Sequence, residues 1–245
     1  MTPYLTWTEV KLLVREPLVL VVSLLFPILL MVLLLISFGE ETEPAFGGIL
    51  ATDFYVTVYL SAAVAVMGFM AMPAHLAGYR ASGVLRRFRA AGVPGRSLVS
   101  AQAAVMAVVA AVGAAAMVGL AYAGFDLAAP ESVAGVVLAL LAGILAFAGI
   151  GALLGSVMPS ARSAQGLGLL LFFTTFFVAG GGPPPEVLPD ALNDVAALTP
   201  IGLLVDAIQE PWARGGLDLP ALLALAAIAV AGFALASRRL SRAGA

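Results

Sequence analysis

The segment YRASGVLRRFRAAGVP, residues 79–94, lies between two long apolar runs and carries Arg80, Arg86, Arg87 and Arg89, four of the 12 basic residues in the chain. Placed on a helix, Val84, Leu85, Phe88, Ala91 and Gly92 gather on one side, while Arg86, Arg87 and Arg89 fan over the other. Each of these arginines would cost about 2.5–3.5 kcal/mol at the centre of a bilayer. The segment therefore stays at the membrane surface and holds the runs before and after it apart as separate spans. Two uses fit such a helix. Its guanidinium groups gain about 1 kcal/mol each beside anionic headgroups, which makes it an anchor. Its apolar stripe, with Gly83 and Pro94 fixing the ends, also suits a docking helix for a cytoplasmic partner.

The surrounding composition is that of a membrane protein. Of 245 residues, 62% are hydrophobic and 11% charged, whereas soluble domains are about 25% charged. A helical span needs about 20 apolar residues, and six runs of that kind fall at about 18–38, 54–76, 98–125, 132–157, 163–182 and 219–237. The first reads as a retained span rather than a signal peptide, because 18–38 is too long for a signal core and no small-residue cleavage site follows it. Before it, residues 2–16 form an amphipathic pattern with Trp7, Val10, Leu13 and Val14 on one side and Thr8, Lys11 and Arg15 on another. This predicts an interfacial helix running to Glu16 and ending before Pro17. The expected fold is an all-α polytopic membrane protein of six transmembrane helices, one domain over 1–245.

Charge placement orients these spans. With the N-terminus inside, Lys11, Arg15, Arg80, Arg86, Arg87, Arg89, Arg96, Arg162, Arg238, Arg239 and Arg242 are all cytoplasmic, and Arg214 alone lies outside. That is the distribution the positive-inside rule demands. Both termini are then cytoplasmic. Only Glu9 and Glu16 among the acids fall inside, and the outer loops hold the rest apart from Asp53 at the outer edge of span two.

The outer segment 183–214 is too patterned to be a slack loop. Gly180 to Gly182 and Pro183 to Pro185 break span five, after which Val187, Leu188, Ala191, Leu192 and Val195 recur at helical spacing. A second helix starts with Thr199 as N-cap and Pro200 at its first position, and runs to Pro211. Two short outer helices, on the rim or re-entrant, are expected before the last span.

Catalytic chemistry is not expected. The chain has one histidine and no cysteine, and no nucleophile, base or metal-ligand set stands at workable spacing; His75 reads as a polar end to span two. Lys11 is the only lysine and follows Val10, so no phosphate-binding loop is present. Every span has an uncharged middle, which disfavours the proton- or ion-coupled carriers that keep charges there. Thr174 and Thr175 lie inside span five, flanked by Phe172, Phe173, Phe176 and Phe177. Their hydroxyls suit bonds to carbonyls one turn back, and the six together also suit a substrate path. The small residues of AAVGAAAMVG and GILAFAGIGALLG, in spans three and four, suit close helix packing.

Three ordered stretches resemble the permease subunit of type 2 ABC exporters, the drug and lipid efflux branch. VREPLVLVVSLLFPILLMVLLLISFG (14–39) resembles the family's opening, through Arg15, Pro17, Pro27 and the closing Phe38-Gly39. SGVLRRFRAAGVPGRSLVSAQ (82–102) resembles its cytoplasmic loop, through Gly83, Leu85, Arg86, Arg89, Ala90 and Pro94. PPPEVLPDALNDVAALTPIGLLVDAIQ (183–209) resembles its outer helices, through Pro185, Leu188-Pro189, Leu198, Pro200 and Asp206. Two departures stand out: Arg80-Ala81-Ser82 precedes the loop glycine where the family commonly has an acid, and Phe88 with Ala91-Gly92 replaces its usual Leu and Thr-Pro.

The resemblance implies two six-span subunits, this chain with a second copy or a homologue, joined to two cytoplasmic ABC ATPase subunits that bind the ATP and Mg; no cofactor is expected in this chain and no nucleic acid. It implies coupling to the ATPase through Arg80, Gly83, Val84, Leu85, Arg86, Arg87, Phe88, Arg89 and Pro94, and through the interfacial helix with Trp7, Lys11, Arg15, Glu16 and Pro17. The cavity between permeases would be lined mainly by spans two and five, and the chain would sit in the cell membrane and move hydrophobic or amphiphilic molecules, drug-like or lipid, outward. Two rival readings remain at this point: a stand-alone secondary transporter and a non-transporting membrane scaffold.

Overall fold

A computed structural model describes residues 25–38, 46, 48–90, 92, 95–125, 127–182 and 189–242. These residues are helical with short connections: α1 (Phe26–Phe38), α2 (Ala51–Ala81), α3 (Val84–Ala90), α4 (Gly95–Gly124), α5 (Val133–Val157), α6 (Ala161–Val178), α7 (Asp190–Leu198), α8 (Pro200–Ala213) and α9 (Leu219–Arg242). Among the described residues, five helices are long and apolar enough to cross a membrane. They are α2, α4, α5, α6 and α9, and the α7–α8 pair, bent by 83°, makes a sixth if it counts as one span. The chain is an all-α polytopic membrane protein. The interfacial helix expected over 2–16, with Trp7, Lys11, Arg15, Glu16 and Pro17, lies outside the described residues, as does the first part of the span expected at 18–38.

Successive long helices reverse direction, giving the bundle a basic end, with Arg80, Arg86, Arg87, Arg162, Arg238 and Arg239, and an acidic end, with Asp53, Glu131, Glu210 and Asp218. Among the described residues Arg214 is the cation at the acidic end, and it pairs with Glu210 at 2.9 Å, one turn earlier on α8.

Helix α2 is the central pillar. Its most apolar stretch is 94% buried, against 22% for α6, and every residue from Ala51 to Val66 is buried. The burial extends to Thr52, Asp53, Thr57 and Ser61. Polar groups are costly in hydrocarbon, so a span that contains them gains from the interior; Thr57 and Ser61 donate to the carbonyls of Phe54 and Thr57 at 2.8 and 3.0 Å. Within α2 the stretch Met67–Ala71 widens to π geometry.

Lipid tails are as apolar as leucine, so helix association in a bilayer rests on close packing rather than on hydrophobic burial. Helix α5 achieves this with glycine. A Cβ at Gly143 would lie 2.5 Å from Leu204 of α8, one at Gly151 2.7 Å from the Gly68 carbonyl oxygen of α2, and one at Gly232 of α9 2.5 Å from the Gly149 backbone. At Gly151 and Gly232 the helices touch backbone to backbone, and at Gly143 the Leu204 side chain lies directly on the α5 backbone. On α6, Gly168 meets the Phe69 carbonyl in the π stretch in the same way. By contrast, a Cβ at Gly119 or Gly124 of α4 would meet nothing within 4 Å, so these two small residues of span three are not contact points within the chain.

Helix α8 is held antiparallel to the first half of α5. Pro211 faces Gly135 and Leu204 faces Gly143, eight residues or about 12 Å along α5, so α8 begins deeper in the bundle than it ends. Thr199 caps it, accepting from Gly202 N at 3.0 Å, with Pro200 in the first turn. The sequence expectation ended this helix at Pro211, but the helix continues to Ala213 and stops at Gly215, where φ is 73°. A proline in the last turn lacks only its own N–H, and its carbonyl is used instead, accepting from Ser132 N at 2.9 Å.

Candidate functional site

The basic end brings together the segment that opened the sequence reading. Helix α2 runs on through Tyr79, Arg80 and Ala81, so these residues belong to the span rather than to the connecting loop. The chain then turns at Gly83, φ 73°, into α3, and Gly92 repeats that left-handed turn beyond the end of α3. Such angles carry a penalty for any side chain with a Cβ, so the two glycines bracket α3. Gly92 was not singled out as an end marker in the sequence, where Pro94 was given that role; Pro94 lies outside the described residues.

Helix α3 is seated by Leu85, which is buried with Leu76 of α2 in a small cluster that Tyr79 of α2 and Leu240 of α9 close off. Val84 is half-buried, and Arg86 and Arg87 are exposed. Nothing is described of the side chains of Phe88 and Arg89. Among the described side chains of α3, Leu85 is the buried apolar anchor and Arg86 and Arg87 present their guanidinium groups outward. Arg80 is placed differently. Half-buried, it donates to the carbonyl oxygens of Gly155 and Met158 at the end of α5, at 3.0 and 3.1 Å.

The six residues read as a substrate path divide over α6. Phe172 and Phe176 are buried, stacked at 5.2 Å, and Phe176 meets Tyr59 of α2 edge-on at 5.4 Å. Phe173 meets Phe26 of α1 edge-on at 5.9 Å. Thr175 donates to the carbonyls of Leu171 and Phe172 at 2.7 and 3.3 Å. Thr174 and Phe177 are exposed, and with Arg162, Gln165, Gly166, Leu169 and Leu170 they form one open stripe down the helix. The cavity implied by the resemblance drew on spans two and five; here the acidic half of α2 has no open face, whereas α6, which is span five, has one.

At the acidic end α6 breaks where Gly180 takes φ 87°. The freed backbone is held by α2, with Tyr59 Oη donating to the Gly181 carbonyl at 3.0 Å and Tyr55 Oη to that of Gly182 at 3.4 Å. Asp53, buried at the start of α2, accepts from Ala128 N and from Trp212 Nε1, both at 3.3 Å. One carboxylate thereby ties α2 to the connection before α5 and to the last turn of α8. Among the described residues no group of His, Cys, Asp and Glu could hold a metal ion.

Residues 2–211 match the family model described as ABC-2 type transporter. No curated protein matches the chain.

Proposed function

The chain belongs to the ABC-2 type transporter family, as a permease component, and from that premise we propose that it is the membrane subunit of an ATP-driven exporter of hydrophobic or amphiphilic molecules, drug-like or lipid, powered by two separate ATPase subunits. The observation that carries the coupling is the construction of α3, a short helix bracketed by Gly83 and Gly92, anchored by Leu85 and offering Arg86 and Arg87 to whatever lies beyond the basic end. The same arginines support a cytoplasmic basic end under the positive-inside rule, and on this reading the chain sits in the cell membrane with both termini on that side.

The route is supported by α6. Of the helices able to cross, it is the least apolar and the least buried. Gln165 and Thr174 on its open stripe are poor company for lipid tails, and cover for them comes from a second permease, a copy or a homologue, with the transported molecule between. The apolar character of Leu169, Leu170 and Phe177 on the same stripe suits an amphiphile.

The test is Arg86→Glu with Arg87→Glu. The expected result is loss of ATPase copurification and of ATP-dependent transport, with the chain still inserted at normal level. Unchanged copurification and transport would refute the assignment of α3.

A further inference from the structure

Arg80 occupies the last turn of α2, and its Nη1 donates to the carbonyl oxygens of both Gly155 and Met158. Met158 is the C-cap of α5, with ψ 136°. The last carbonyls of a helix have no donor of their own and carry the negative end of its dipole, so a guanidinium there both caps and neutralises. One turn earlier in α2, Leu76 packs closely on α5, since a Cβ at Gly155 would come within 2.7 Å of it. Leu76 also receives Leu85, with Leu240 of α9 against the same cluster. Helix α9 in turn is pressed onto α5 at Gly149 and Gly232. The seat of α3, the end of α5 and the end of α9 therefore meet around two turns of α2, and Arg80 ties that part of α2 to the end of α5.

We infer that Arg80 is a positioning residue that joins the seat of α3 to α5, so that a push on α3 moves the basic half of α2, α5 and α9 as one body. The transmission role rests on the coupling reading given above; the clamp itself does not. The arginine is spent inside the chain, leaving Arg86 and Arg87 for outside contact. A lysine in its place brings a compact ammonium without the planar fork and reproduces the link only in part.

Because the chain has no cysteine, the clamp can be read by an introduced pair. A Cβ at Gly78 would lie 3.7 Å from Ala161 Cβ, inside the range of about 3.5–4.5 Å that disulfides require. In membranes holding the full complex, Gly78→Cys with Ala161→Cys is expected to close on mild oxidation. Adding Arg80→Gln is expected to slow closure about tenfold, the equivalent of one charge-assisted hydrogen bond, with Arg80→Lys intermediate. Closure at the parental rate in the Arg80→Gln background overturns the clamp. In transport assays Arg80→Gln is expected to keep its ATPase but lose most transport, and oxidation of the cysteine pair in that background to restore it, the disulfide replacing the clamp. Failure of oxidation to restore transport overturns the transmission role. A parental chain that copurifies no ATPase would sink the coupling reading instead, and the disulfide rates would still decide the clamp.

Discussion

Replacing Gly151 with alanine adds one methyl group where α5 and α2 touch. That Cβ would sit 2.7 Å from the Gly68 carbonyl oxygen and 3.1 Å from both Cβ and Cγ of Met72. Ordinary van der Waals contact begins about 0.5 Å or more beyond the shorter distance. The oxygen is backbone and Met72 closes the other side, so neither helix can yield by turning one side chain. Overpacking of this kind costs about 1–3 kcal/mol. For a chain of this length, about 2 kcal/mol corresponds to a fall of about 4–8 °C in the unfolding midpoint. Gly119→Ala is the matched control, because its Cβ would meet nothing within 4 Å, and helix propensity alone favours it by up to about 1 kcal/mol. The assay is thermal unfolding of the purified chain in detergent, followed by tryptophan fluorescence. Equal midpoints for the two variants would refute the claim that glycine-mediated contact between α2 and α5 holds the bundle together.

Two further outcomes follow from the acidic end and from α6. Trp212→Phe removes one of the two donors to the buried Asp53 carboxylate and is expected to cost about 1–3 kcal/mol, seen as a lower unfolding midpoint and faster proteolysis in the 127–132 connection; Asp53→Asn, whose amide oxygen still accepts, is expected to be milder. Gln165→Leu with Thr174→Val, on the exposed stripe of α6, is expected to change transport rate or substrate preference severalfold at unchanged membrane level, whereas Thr175→Val, whose hydroxyl serves the backbone of its own helix, is expected to leave transport unchanged.

The helical architecture was legible because long uncharged runs leave a bilayer-spanning chain few alternatives. Thr199-Pro200 marked the start of α8 because a capping oxygen before a proline has one local use, and the structure places it there. What the sequence reading missed are relations between distant segments. Asp53 and Trp212 are 159 residues apart, and no local pattern pairs them. Arg80 sits among other arginines, and only the end of α5 lying alongside distinguishes it from Arg86 and Arg87. The central position of α2 did leave a signal, since Thr52, Asp53, Thr57 and Ser61 crowd one end of a span, and polar side chains in a span are better accommodated away from lipid. Helix α6 breaks that rule within a single chain, being the least apolar and the least buried of the long helices. The discrepancy is what points to a partner surface there.

The central claim, that α3 is the seat of an ATPase, is tested most directly by crosslinking from single cysteines in a chain that has none of its own. Arg87→Cys places the probe on the exposed side of α3, and Leu192→Cys places one on the exposed side of α7 at the opposite end of the bundle. With a bifunctional maleimide in intact membranes, the account predicts an adduct between the Arg87→Cys chain and a nucleotide-binding ATPase subunit, and none from Leu192→Cys. An ATPase adduct from α7, or its absence from α3 in a complex that still hydrolyses ATP and transports, would contradict it.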